Sequence, residues 1–248
     1  GDPRLAYTRY PYIMLAENAA KRPTVFSVLE DFVRDHEEGI SAAEIEDYLV
    51  SDLGVSDQLK HNYICNVPNV IQVDTGVHMH LDNLSVDAVR FRSIRDYVDQ
   101  LLANVEQLSV DKVFSEKRVT CNVLGISTPV MLYSLLQVYC NDRYWLPRYP
   151  IIARDDATGE IGVYAHIADY LREANAPCST DQLHTYFVEE LGFKPGAVHN
   201  AKYCEGVIQY AYGTVVHVDA LEWTAEKQGR VEVIALDHLH EQLLLNRP

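Results

Sequence analysis

The sequence predicts a mainly α-helical α+β protein in which one module, three helices followed by a two-stranded hairpin, occurs twice. The first observation is an internal repeat. Val25 to Val55 matches Val163 to Phe193 at a constant spacing of 138 residues (163 − 25 and 193 − 55). The second observation is the order of hydrophobic patterns in each copy, which changes from helical spacing to short β-forming runs. Solenoid repeats span roughly 20–50 residues, so this repeat indicates a duplicated unit of domain size.

The repeat extends beyond that stretch in both directions. Arg9-Tyr10-Pro11 matches Arg148-Tyr149-Pro150, and the segment after Leu221 resembles the segment after Leu84. Because the chain begins and ends inside a repeat, we expect it to be a fragment of a longer protein. Identical residues at matching positions include Asp31/Asp169, Arg34/Arg172, Ser41/Ser179, Tyr48/Tyr186, His61-Asn62/His199-Asn200, Ile71/Ile208, Gly76/Gly213, His80/His217 and Asp82/Asp219.

Three helices and a hairpin are predicted in the first copy. Apolar residues recur at steps of three and four, which predicts helices, and Ser41 with Glu44 forms a capping box at the start of the second. An Asp-Thr-Gly turn between two β-forming runs predicts the hairpin. The predicted bounds are about 24–36, 41–53 and 56–65 for the helices, and 69–73 and 77–81 for the strands.

The second copy predicts the same elements in the same order. Ser179 caps its second helix, as Ser41 does in the first copy. Its first helix is expected at about 162–174, its third at about 195–204, and its strands at 207–210 and 214–218. Periodicity predicts matching buried residues in the two cores: Leu29, Ile45, Tyr48 and Ile71 in the first copy, and Ile167, Leu183, Tyr186 and Ile208 in the second.

The segment between the copies has a different pattern. It predicts one long helix over 91–108, a strand over 118–123, and a further helix that begins at Thr128-Pro129. Proline favours the first turn of a helix. Over about 30 residues this segment resembles the helix-turn-helix segments of bacterial sigma-like regulators and DNA-processing proteins.

Three helices followed by a hairpin is the element order of winged helix-turn-helix domains, and each copy resembles that superfamily over about 60 residues. The resemblance implies tandem winged-helix modules within a larger bacterial regulatory or DNA-processing protein. The predicted division is the end of a linker unit at 1–22, module 1 at 23–85, a helical linker unit at 86–158, module 2 at 159–224, and the start of a truncated linker unit at 225–248.

Composition limits the class of partner. The net charge of −15 disfavours nonspecific contact with phosphate groups, although it does not prevent a local basic stripe. The sequence has no run of about 18 apolar residues, so it predicts no membrane span. Five cysteines without a CxxC pair predict free thiols, and we expect a cytoplasmic protein.

The third helix of each copy carries the candidate nucleic-acid contacts. In helix-turn-helix proteins this helix enters the major groove, where Asn can recognise adenine and Lys can contact guanine or phosphate. The alternative is that one member of each His-Asn pair packs or caps locally. The candidate residues are Gln58, Lys60, His61 and Asn62 in the first copy, and Lys194, His199, Asn200 and Lys202 in the second.

Histidines are the candidate metal ligands. His78 and His80 alternate on one predicted strand and so face the same side, and His217 matches His80. A site would need a further ligand such as Asp82, and a spacing of two on a strand is common, so we predict no bound metal. The sequence also has no Gly-rich phosphate loop and no catalytic motif, which predicts no enzyme activity, no cofactor and no small-molecule substrate.

Two functions therefore remain open. The Lys, His, Asn and Gln residues of the third helices favour binding to duplex DNA, whereas the acidic balance favours a protein-interaction scaffold. Arg9 and Arg148 fit either function, because an arginine beside tyrosines can contact phosphate or stack within a module junction. By the habit of the superfamily, DNA binding is the first expectation and the scaffold is the alternative.

Overall fold

The structure is a computed structural model that describes residues 3–9, 12–15, 24–86, 89–156, 162–221 and 224–245. It divides into two compact units. The first comprises Gly1–Glu106 and Val113–Asp155, and the second comprises Gln107–Lys112 and Asp156–Pro248. Both units mix helices with small antiparallel strands, which confirms the α+β class.

The first unit contains the first copy of the repeat, preceded by an antiparallel strand pair. Within the copy, a three-stranded sheet has the order β3-β5-β4, and the second helix continues into a π-helical turn at Tyr48–Asp52. The elements are β1 Leu5–Arg9, β2 Tyr12–Leu15, α1 Val25–Arg34, β3 Ile40–Ser41, α2 Ala42–Asp47, α3 Asp57–Cys65, β4 Val70–Asp74 and β5 Val77–His80.

Local chemistry explains these bounds. Ser41 Oγ accepts a hydrogen bond from the Glu44 N–H at 3.2 Å, and a Glu44 carboxylate oxygen accepts from the Ser41 N–H at 3.1 Å, which confirms the capping box. Gly39 adopts a φ of +91°, a region that favours glycine, and it separates α1 from β3. The hairpin turns at Gly76, as its sequence predicts.

Three of the four residues predicted for the core of the first copy are buried. Leu29, Ile45 and Ile71 are buried, as predicted. Tyr48 is only half-buried, because its ring stacks on Phe32 at the edge of the core with 3.8 Å between ring centroids. The neighbouring residue Leu49 is fully buried and fills the core in its place.

The segment after the first copy differs from its prediction in two places. The predicted helix over 91–108 ends at Leu102, and the predicted strand over 118–123 is a helix. The helix that begins after Thr128 is confirmed, since Thr128 Oγ1 accepts from the Met131 N–H and Pro129 occupies the first turn. The elements are α4 Arg92–Leu102, β6 Gln107–Ser109, α5 Val110–Glu116, α6 Arg118–Val123, α7 Pro129–Tyr139, β7 Tyr144–Trp145 and β8 Ile151–Arg154.

The second unit repeats the element order of the first copy. Its sheet has the order β9-β11-β10, which matches β3-β5-β4, and its second helix again continues into a π-helical turn, at His184–Glu190. The elements are α8 Val163–Ala174, β9 Cys178–Ser179, α9 Thr180–Leu183, α10 Pro195–His199, β10 Val207–Ala211, β11 Thr214–His217 and α11 Ala225–Leu245.

Two predictions for the second copy are wrong in detail. The third helix does not run to Cys204: it ends at His199, and a separate 3₁₀ turn follows at Ala201–Tyr203. Ile167 and Leu183 are buried as predicted and Tyr186 is half-buried, but Ile208 is 39% exposed. The position that matches the buried Ile71 is therefore on the surface.

Candidate functional site

The third helix of the first copy presents three of its four candidate residues to solvent. Gln58, His61 and Asn62 are exposed on α3. Lys60 is half-buried, and its Nζ lies 2.8 Å from Glu46 Oε2 and 3.3 Å from Asp57 Oδ1. Hydrogen bonds to these two carboxylates, that of Glu46 first, raise the pKa of Lys60. Its charge is therefore neutralised locally by two acidic residues.

The third helix of the second copy is a short α10 with basic residues at its ends. Lys194 is the exposed residue before its first turn, and His199 is exposed in its last turn. Asn200 is half-buried where the helix ends, and Lys202 is exposed with its Nζ 5.1 Å from the Tyr203 ring centroid. Within the described ranges, neither lysine is paired with a carboxylate.

A second cluster, which sequence reasoning did not identify as a site, surrounds the buried His80 of the first copy. Arg34 contacts the Asp31 carboxylate at 2.7 Å and lies 3.5 Å from Asp82 Oδ2. The Asp82 N–H donates to His80 Nδ1 at 3.1 Å, and Arg34 Nη2 lies 3.5 Å from His80 Nε2. Two helical residues, a strand residue and the turn after the strand are thus linked by polar contacts.

The second copy has the same cluster around His217. Arg172 bonds the Asp169 carboxylate and lies 3.4 Å from Asp219 Oδ2. The Asp219 N–H donates to His217 Nδ1 at 3.3 Å, and Arg172 Nη2 lies 3.3 Å from His217 Nε2. All four residues are identical between the copies, so the internal alignment contained the signal for this cluster.

The first cluster holds an additional carboxylate. The Glu30 side chain is 16% exposed, and its Oε1 accepts from Asn69 Nδ2 at 2.7 Å. The same oxygen lies 3.3 Å from His80 Nε2 and 3.4 Å from Arg34 Nη2. The hydrogen bond from Asn69, followed by contacts with His80 and Arg34, lowers the pKa of Glu30 despite its burial.

The remaining candidate histidine lies outside this cluster. His78 is half-buried on β5, and burial lowers its pKa. His80 is 1% exposed and belongs to the cluster, so the two histidines of β5 differ in burial. Among the described residues, no group of three His, Cys, Asp or Glu side chains has the geometry of a metal site.

The hairpins of the two copies differ in what covers them. In the first unit, α7 packs on β4: Ser134 Oγ donates to the Gln72 carbonyl at 2.9 Å, and Thr128 Oγ1 donates to the Val73 carbonyl. Val73 is consequently 8% exposed. In the second unit, β10 and its turn carry three exposed large side chains: Ile208 at 39%, Tyr210 at 59% and Tyr212 at 100%. We call these three residues the hairpin face.

Comparison with known proteins assigns no family to this chain. No family model matches the sequence, and no curated protein matches it significantly. None of the helices in the described parts of the chain is both long and apolar enough to cross a bilayer.

Proposed function

We propose that this chain is a non-catalytic protein-binding scaffold of two winged-helix modules, in which the hairpin face of the second module docks an apolar helix of a partner protein. Three helices, a hairpin and the same strand order in both copies support the module assignment. A net charge of −15 and the neutralised Lys60 favour a protein partner over a polyanion.

The observation that carries this proposal is the difference between the two hairpins. Large apolar side chains on a sheet are normally covered, and contiguous exposed ones mark interaction surfaces. In the first copy, α7 covers the hairpin by packing on β4. Its own side chains Met131, Leu132, Leu135 and Leu136 are buried. The hairpin face of the second copy is the corresponding surface, with Ile208 at the position of Ile71.

The first copy also indicates the chemistry of the partner. Its covering helix is apolar over most of its circumference, and it places the hydroxyls of Thr128 and Ser134 on strand carbonyls. The carbonyls that match those of Gln72 and Val73 belong to Gln209 and Tyr210, on the edge strand β10. We therefore expect an apolar helix with two hydroxyl donors at the same spacing of six residues (134 − 128).

A peptide of residues 127–140 with added terminal lysines for solubility is the appropriate probe, titrated into the 248-residue chain. We expect saturable binding by calorimetry and slower amide hydrogen exchange in β10, with exchange in β4 unchanged because α7 already covers that strand. Double substitution Tyr210→Ser and Tyr212→Ser should weaken binding at least tenfold, since aromatic residues dominate such interfaces.

The control is Tyr203→Ser, which removes a tyrosine outside the hairpin face whose exposure, 76%, lies between those of Tyr210 and Tyr212. It should leave peptide affinity unchanged. Peptide binding that survives the double substitution, or an absence of protection in β10 at saturating peptide, would exclude the hairpin face as the docking surface.

DNA binding is the second candidate, and the exposed lysines before and after α10 favour it. Lys194 precedes α10 and Lys202 follows it, and within the described residues neither lysine is paired with a carboxylate. His199 is exposed in the last turn of α10. Phosphate contacts make affinity depend on salt, with a slope of about −0.9 per neutralised phosphate. Two lysine contacts would therefore contribute roughly two units to this slope.

Fluorescence anisotropy with a labelled duplex across a salt series tests this candidate. Reversal of Lys194 and Lys202 to Glu should weaken binding and reduce the slope by about one to two units. Lys227→Glu on α11 is the matched charge change outside the third helix. If the unmodified chain shows no affinity for the duplex at low salt, the DNA candidate fails while the peptide experiment still tests the scaffold.

A further inference from the structure

The cluster around His217 differs from its counterpart at two positions. Ala168 occupies the position of Glu30, since α8 matches α1 residue by residue. Gly206 occupies the position of Asn69. The Gly206 carbonyl accepts from the Val218 N–H at 2.8 Å, as the Asn69 carbonyl does from the Leu81 N–H at 2.7 Å, and both residues have positive φ. The second copy therefore lacks the carboxylate and the amide that complete the first.

A cavity adjoins these two positions. Its volume is about 640 Å³, and its lining includes Ala168, Gly206, His217 and Arg172. Gly206 allows the His217 ring to approach the backbone closely, since a Cβ at this position would lie 2.4 Å from His217 Nε2. Glu205 lines the same cavity, and its side chain is exposed.

The hydrogen-bond donors of this cavity face one another. Asp219 Oδ2 lies 3.2 Å from His217 Nδ1 without a hydrogen bond to it, whereas the Asp219 N–H donates to the same nitrogen at 3.3 Å. We therefore assign the ring proton to Nε2, which becomes a donor. Arg172 Nη2, which can only donate, lies 3.3 Å away. In the first copy the equivalent two nitrogens are 3.5 Å apart, and both contact Glu30 Oε1. No protein acceptor bridges the pair in the second copy within the described residues.

We propose that the cavity beside His217 and Arg172 is a binding site for a carboxylate, one oxygen of which takes the position that Glu30 Oε1 holds in the first copy. The ligand class is a carboxylate on a short flexible chain, either a free acid or an acidic side chain of a peptide. This site is separate from the hairpin face and does not depend on the proposed scaffold function.

The surrounding charges are compatible with an anion. Asp169 and Asp219 are paired with Arg172, and in the first copy the matching Asp31 and Asp82 are paired with Arg34, which also contacts the largely buried Glu30. Glu205 is the one additional acid, because Pro68 precedes Asn69 in the first copy. Repulsion from Glu205 should weaken a bound carboxylate, so its removal should tighten binding.

Histidine side-chain NMR of the 248-residue chain tests the proposal at constant pH. Propionate and propionamide differ in charge and hardly in shape, and N-acetyl-glutamate amide and N-acetyl-glutamine amide extend the comparison to a peptide-like source. We expect the His217 ring resonances to shift saturably with one or both carboxylates and not with the amides. His80 should not respond, because Glu30 occupies its site.

Two variants complete the test. Ala168→Glu supplies the carboxylate from the chain itself, so it should abolish the response of His217 while raising the melting temperature. Glu205→Gln should increase carboxylate affinity several-fold. Unshifted His217 resonances in both the parent chain and Glu205→Gln, or equal responses to carboxylates and amides, would overturn the proposal. A response retained in Ala168→Glu would place the ligand elsewhere and overturn it as well.

Discussion

Ile71 and Ile208 are the same residue at matching places in the two hairpins, yet they are 6% and 39% exposed. Substitution of each by Ala removes three carbon atoms, which is about 2.4 kcal/mol of transfer free energy at roughly 0.8 kcal/mol per buried methylene. Scaled by burial, the transfer contribution is about 2 kcal/mol for Ile71 and about 1.5 kcal/mol for Ile208. A cavity contribution applies only under α7, where solvent does not refill the space.

The predicted losses in the free energy of unfolding are therefore about 3–4 kcal/mol for Ile71→Ala and about 1–1.5 kcal/mol for Ile208→Ala. The intrinsic loss of β propensity is common to both variants and cancels in their comparison. Urea denaturation of the 248-residue chain, followed by circular dichroism, measures both losses. Equal losses would mean that β4 and β10 are covered alike, which would refute the distinction between the two hairpins.

Three further predictions concern single groups. Cys65 is exposed, whereas burial raises the pKa of Cys121, Cys140 and Cys204 to about 11. A thiol-specific reagent should therefore modify Cys65 rapidly in the folded chain, and all five cysteines after unfolding. Burial and then the hydrogen bond to Glu116 raise the pKa of Tyr97 to about 12. Its phenol therefore ionises first in the unfolded state, so stability should fall between about pH 10 and pH 12, and less so in Tyr97→Phe. Thr128→Val removes both the cap of α7 and its bond to the Val73 carbonyl, and it should cost about 1–3 kcal/mol in thermal unfolding.

The sequence predicted the features that are set by local chemistry. The capping box at Ser41, the hairpin turn at Gly76 and the proline-initiated α7 all depend on residues within four positions of one another. The internal repeat also predicted the element order of the second copy, because two independent copies of a pattern constrain each other. Of these elements, only the third helix of the second copy ended well short of its predicted bound.

Features that depend on distant packing were not predictable in this way. The alternation of Val119, Cys121 and Val123 suggested a strand, but the segment continues helically from α5 and buries only Cys121. A six-residue apolar alternation cannot distinguish these outcomes without its neighbours. The exposure of Ile208 likewise follows from what packs on β10 and not from its own sequence, which is Ile-Gln in both copies.

The candidate sites show the same division. The identity of Arg34/Arg172, His80/His217 and Asp82/Asp219 was visible in the alignment, but the meaning of these identities came only from their contacts. The difference between Glu30 and Ala168 was equally visible, and its consequence required the geometry of His217 Nε2 and Arg172. The signal in the sequence was a residue that differs between the copies, such as Glu30 and Ala168, among neighbours that are identical in both.

In the first copy, the chain itself covers the hairpin with α7 and supplies the carboxylate of Glu30 to the arginine–histidine cluster. The second copy keeps the same sheet order and the same cluster residues, but among the described residues it has a cover on neither surface. The second copy thus keeps the residues that surround each surface but has no counterpart of α7 or Glu30 on them among the described residues. Each surface is then open to a partner with the chemistry of the missing group. We therefore propose the first copy as a template for what the second copy binds: an apolar helix on the hairpin face, and a carboxylate beside His217.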